Sequence, residues 1–128
     1  MSFSELGIVP PVVNVLKEQG IKEPFEVQAK SIPDILDGND VCCRAPTGSG
    51  KTLSFGLPII TNCKPAHPHY PTALIVTPTR ELAEQISNVL KPLAKKVDLG
   101  VIAIYGGVSY TKQKQALSKG VDIVVATP

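Results

Sequence analysis

Eight residues, Ala45-Pro46-Thr47-Gly48-Ser49-Gly50-Lys51-Thr52, constrain the fold more than any other part of the chain. A short run precedes them, Asp40-Val41-Cys42-Cys43-Arg44, and it reads as a buried strand. After them, Leu53 to Ile60 opens as a helix that either ends or kinks at Pro58. Strand, glycine-rich turn and helix, in that order, form the context of a phosphate-binding loop. The glycines let the backbone curl so that successive N–H groups point inward as an anion nest. The helix that follows adds the positive end of its dipole at the same place. Lys51 is placed to reach the outer phosphates of a nucleoside triphosphate, and the Thr52 hydroxyl suits a Mg²⁺ ion carried by those phosphates. The general pattern starts with Gly, where this chain has Ala45.

The rest of the chain supplies the setting such a loop needs. Pro10 to Gln19 reads as a short helix stopped by Gly20, and a second runs from Glu26 or Val27 to Leu36 despite Pro33. The proline-rich stretch Lys64–Pro71 is a connector. Ala73–Thr77 is a continuous apolar run, as expected of a strand buried on both faces. Leu82, Ile86, Val89, Leu90 and Leu93 then recur at helical spacing, from near Thr79 until the pattern weakens at Pro92. Val101–Tyr105 is a further strand ending in Gly106-Gly107, and a polar helix over Ser109–Lys119 is closed by Gly120. Val121–Ala126 is the last apolar run. Apolar runs alternating with helices predict an α/β fold, a parallel sheet with helices on both faces.

Composition excludes more than it selects. The formal net charge is +2, from 13 Lys+Arg against 11 Asp+Glu, too small to argue for nucleic acid by charge alone. Three cysteines, two of them adjacent, do not make a disulfide framework, and without a C-x-x-C pair they do not make a zinc site with His67 and His69. No apolar run reaches membrane-spanning length, and Met1–Glu5 lacks the character of a signal peptide, so the expected location is cytoplasmic, with no membrane partner.

Several motifs now agree. Ala45–Thr52 looks like motif I of the DEAD-box RNA helicases, including the Ala start, and Pro78-Thr79-Arg80-Glu81-Leu82-Ala83 is identical to that family's motif Ia. Gly106-Gly107 resembles its GG motif, with Gln113 at a matching distance, and Ala126-Thr127-Pro128 resembles the opening of motif Ib. Residues Gly20–Gln28 resemble the Q motif, and Phe3 stands 17 residues before Gly20, where the family has an isolated aromatic. The whole chain, 1–128, resembles part of the first RecA-like domain of such a helicase, a truncated RecA-like P-loop NTPase. One departure falls in the Q motif, where Phe25 stands in place of the usual Thr or Ser.

The resemblance implies roles residue by residue. Phe3 and Gln28 would hold the adenine of ATP, by stacking and by a bidentate amide contact, while Ala45, Thr47, Gly48, Ser49, Gly50, Lys51 and Thr52 would bind its phosphates with Mg²⁺. Lys51 and Thr52 would also be the catalytic members of the loop. Pro78, Thr79, Arg80, Gly106, Gly107 and Thr127 would grip the sugar-phosphate backbone of RNA, single-stranded or duplex, without reading its sequence.

ATP hydrolysis also needs a carboxylate for Mg²⁺, a group that orients water, and arginines that stabilise transferred charge. By resemblance these come from motif II and the second RecA-like domain, which lie outside Met1–Pro128. The complete protein is therefore expected to be an ATP-dependent RNA helicase, and these 128 residues alone to be inactive and only marginally stable. A P-loop ATPase of another class, of DNA-helicase or transporter type, and a non-catalytic binding fragment are the alternatives.

Overall fold

Helix α1 (Pro10–Glu18) begins on two prolines, whose fixed φ and missing N–H suit a first helical turn. It buries Val12, Val13, Val15 and Leu16. In the computed structural model, which describes all residues from Met1 to Pro128, it belongs to the first of two units, Met1–Asn62 and Cys63–Pro128. Helices α2 (Glu26–Leu36) and α3 (Lys51–Asn62) pack on each other in the same unit. Both run through an internal proline, Pro33 and Pro58, so α3 neither ends nor begins again at Pro58. Pro58 is itself buried, with Leu53, Leu57 and Ile60 of the same helix, and removes a single ladder bond. Phe3, Leu6, Ile8, Ile32 and Leu57 complete this core.

The expected strand at 40–44 does not form. Residues Val41–Arg44 are exposed coil, and Cys42 and Cys43 both face solvent. An extended segment becomes a strand only when its N–H and C=O groups find a lateral partner. The sheet of this chain has three strands, and none of them pairs with this segment.

In the second unit, β1 (Ala73–Val76), β2 (Val101–Ile104) and β3 (Ile123–Ala126) form a parallel sheet of order β1-β3-β2. Ala73–Val76 registers with Ile123–Ala126, and Val101–Ile104 registers with the same four residues from the other side. Helix α4 (Arg80–Lys95) packs against β2 and β3 through a face that includes Ala83, Ile86, Leu90 and Leu93. Leu82 and Val89 lie off that face and are exposed. Helix α5 (Tyr110–Lys119) ends at Gly120, whose φ of 96° is open to glycine and costly to other residues.

The reading of β1 as buried on both faces needs correction. Ile75 is buried, but Leu74 and Val76, which point to the other side of the pleat, are 66% and 61% exposed. β1 is an edge strand, and only one of its faces is covered. The buried runs belong to the central strand, where Ile123, Val124 and Val125 are all inside.

Candidate functional site

Two places in the chain combine a helix N-terminus with glycines, one in each unit. In the first unit, the loop Ala45–Gly50 leads directly into α3, which starts at Lys51. Gly48 and Gly50 take φ of 83° and 86°, the left-handed region that side chains avoid. The Ser49 N–H and hydroxyl both donate to the Pro46 carbonyl, at 3.2 and 2.5 Å, which closes the turn. No other atom lies within 4 Å of where a Gly48 Cβ would stand, so the loop face there is open to an incoming group. The chain's ion pair joins Lys30 to Glu26, which leaves the exposed Lys51 ammonium at the start of α3 free of any protein carboxylate. Positive dipole, free N–H groups and an uncommitted lysine fit a polyphosphate. The half-buried Thr52 hydroxyl beside Lys51 is the group that would hold a phosphate-bound Mg²⁺.

Gln28 ties this loop to α2. It is 2% exposed, its Nε2 donates to the Gly50 carbonyl at 3.1 Å, and its Oε1 accepts from the Phe25 N–H at 2.8 Å. The second contact is the N3 half of a capping box; the other half is missing, because the Phe25 side chain has no acceptor to offer the first-turn N–H groups. The same packing explains why position 50 is glycine. A Cβ there would collide with the Gln28 amide and stand 2.8 Å from Phe25 Cδ2. One N–H of Gln28 and one lone pair of its oxygen make no bond within the chain.

Phe3 is a correction. Its expected role was to stack on a base, yet it is 1% exposed and packed into the core of the first unit, with no ring face left over. Phe25, read from the sequence only as a departure, is 58% exposed and lines a cavity of about 510 Å³ with Gln28, Gly50, Leu53 and residues 20–23.

In the second unit the C-terminal ends of three parallel strands bring Thr77–Arg80, Tyr105–Gly107 and Thr127 to one edge. Thr79 caps α4, its hydroxyl accepting from the Leu82 N–H at 3.1 Å, while Thr77 Oγ1 donates to the Thr79 carbonyl. The N–H groups of Arg80 and Glu81, in the first turn, have no partner within the helix. The Arg80 guanidinium lies over the Tyr105 ring, 6.0 Å from its centre, and a Cβ on Gly107 would be 3.1 Å from Arg80 Nη1. Arg80 and the Gly106-Gly107 turn are therefore brought together. Thr127 arrives at the same edge, but its N–H is already donated to the Ile104 carbonyl, leaving its hydroxyl and carbonyl.

Three further side chains brace the ends of this sheet, and none of them has a binding role by sequence, Gln113 being matched only to the GG motif. The Tyr105 hydroxyl donates to Glu84 Oε1 at 2.5 Å, a bond that pushes the phenol above its ordinary range. Buried Gln113 donates to the carbonyls of Tyr105 and Ser109 and so holds the glycine turn. At the opposite edge of the sheet, buried Asp122 accepts from the N–H groups of Ala66 and Gly100, at 2.6 and 2.7 Å. Each of the first two follows from a helix meeting the end of β2, α4 through Glu84 and α5 through Gln113. The third joins positions so far apart in sequence that no local signal marks it.

No helix of the structure is long and apolar enough to cross a membrane. Comparison with known proteins bears on the same residues. Residues 25–128 match the DEAD/DEAH box helicase family. The chain is 42% identical over 127 residues to the DEAD-box ATP-dependent RNA helicase RhpA of Helicobacter pylori, covering 99% of this chain and 25% of that protein. It is 41% identical over 128 residues to the ATP-dependent RNA helicase DeaD of Escherichia coli, covering 99% of this chain and 20% of that one. The crystal structure of a DEAD box protein from Methanococcus jannaschii superposes with a TM-score of 0.88 at 36% identity, over 100% of this chain and 35% of that one. The chain thus spans a quarter or less of the length of these two helicases. The parallel α/β fold, the phosphate-type loop and the match over most of the sequence agree, and the chain belongs to the DEAD/DEAH box helicase family.

Proposed function

We propose that this chain is the ATP-binding and RNA-backbone-binding portion of an ATP-dependent RNA helicase. The observation that carries the reading is the open loop Ala45–Gly50, locked to Gln28 and followed by an unpaired Lys51. Its N–H groups and Lys51 bind the phosphates, Thr52 holds the Mg²⁺ that travels with them, and Gln28 offers its remaining N–H and lone pair to adenine. Mg²⁺, when bound, neutralises charge between the outer phosphates.

The RNA reading rests on the edge formed by Pro78, Thr79, Arg80, Gly106, Gly107 and Thr127. Free first-turn N–H groups and the Arg80 guanidinium take phosphate oxygens, and the bare glycines let a phosphate approach the backbone. These groups meet sugar and phosphate rather than base edges, so they bind RNA without sequence preference. Hydrolysis and unwinding we assign to the complete protein, because the carboxylates and arginines they need are not among these motifs.

Fluorescence anisotropy of the 128-residue chain with labelled single-stranded RNAs, read against salt, tests this. RNAs of different sequence are expected to bind alike. Arg80→Ala should weaken all of them and flatten the log–log salt slope by about 0.7, one phosphate contact on a single strand. Absence of binding, or a slope unchanged in Arg80→Ala, would contradict the RNA assignment.

A further inference from the structure

We propose that Phe25 is the platform on which the base of the bound nucleotide stacks, an inference that rests on reading Ala45–Thr52 as a triphosphate loop. The first unit contains three aromatic residues, Phe3, Phe25 and Phe55. Phe3 has no free face, and Phe55 is half-buried beside Val41, Cys43 and Lys51 at a separate cavity. Phe25 alone presents a ring mostly to solvent.

Its position is hard to explain by folding. Phe25 is the N-cap residue of α2, where Ser, Thr, Asp or Asn would supply a hydrogen bond that phenylalanine cannot. Gln28 accepts the Phe25 N–H, but no side chain accepts the first-turn N–H groups that such a cap would serve. An exposed apolar ring is thus held at a place where helix stability favours a small polar side chain. The surroundings suit a flat heteroaromatic ligand. The ring edge rests against Gly50 of the phosphate loop, and ring, Gln28 and Gly50 share the wall of the same cavity. A purine entering there with its phosphates on the loop would meet an aromatic face and, at its edge, the uncommitted N–H and lone pair of Gln28.

Calorimetry with Mg²⁺ and two probes, ATP and inorganic tripolyphosphate, separates base from phosphate binding. Phe25→Ser should weaken ATP about tenfold, the order of one base–aromatic stack, while tripolyphosphate binds as in the wild type. Phe25→Trp keeps a ring and introduces the chain's sole tryptophan. It should bind ATP at least as well as the wild type, with emission quenched by ATP and not by tripolyphosphate. Equal ATP affinity in Phe25→Ser would overturn the platform and leave the loop reading standing. Parallel loss of both probes would also overturn it, since the ring would then act by shaping Gly50. Failure of the wild type to bind either probe would remove the loop reading and the platform together.

Discussion

The phosphate loop of the first unit and the sheet edge of the second use the same device, backbone N–H groups left free where a chain turns into a helix, yet they are held in different ways. Thr77–Arg80 stands on β1, which is paired with β3 along its whole length. The Thr77 N–H extends that ladder to the Ala126 carbonyl, and the Thr79 hydroxyl caps α4. The segment before Ala45 has no such ladder. Its loop is held from the helical side, by the Gly50 carbonyl, which accepts from Gln28 Nε2 and from the N–H and hydroxyl of Ser54. Paired strands spread the support of a site over many bonds. A loop without them concentrates it on a few atoms, here on Gly50 and Gln28.

That contrast can be broken most easily at its narrowest point. Gly50→Ala forces a side chain into a φ of 86° and into the Gln28 amide. ATP binding measured by calorimetry should fall by about 100-fold or more, which corresponds to roughly 2.8 kcal/mol, while RNA binding at the sheet edge stays unchanged. A smaller and global effect is expected at the other unit's buried acid. Asp122→Ala strips two N–H groups of their acceptor and should lower stability by about 2–3 kcal/mol in a urea titration. Asp122→Asn, which keeps one acceptor, should lose less.

Thr79→Ala removes a single cap and should cost about 1 kcal/mol, seen as faster hydrogen exchange in the first turn of α4 and not in β3. The smallest effect concerns pH. Because the Tyr105 hydroxyl donates to Glu84, its protonated form is favoured and its folded pKa lies above the ordinary value of about 10. The stability this bond contributes is fully present below that ordinary pKa and is lost as pH rises through the raised one. An ultraviolet difference titration, wild type minus Tyr105→Phe, should show a late midpoint that Glu84→Gln moves down.

Local signals in the sequence carried well wherever the chemistry itself was local. The glycine at the end of α5 and the turn glycines of the phosphate loop each follow from one residue's backbone preference, and the structure has them. Alternation of apolar runs with helices marked the parallel sheet for the same reason. What failed depended on neighbours. Val41–Arg44 is apolar enough for a strand, but pairing is a property of two segments, and none of the three strands pairs with it. Ala73–Val76 read as buried because an apolar run does not say whether it lies at the centre or the edge of a sheet. Phe3 and Phe25 are the same side chain, and only tertiary packing decides that one is core and the other is exposed beside Gln28.

Calorimetric titration of ATP and GTP with Mg²⁺ into the wild-type chain, Lys51→Ala and Gln28→Ala bears most directly on the nucleotide site. The wild type should bind ATP in preference to GTP, Lys51→Ala should bind neither, and Gln28→Ala should lose the preference along with part of the affinity. A wild type that binds no ATP, or a Lys51→Ala variant that binds it equally well, would show that Ala45–Thr52 is only a turn before a helix.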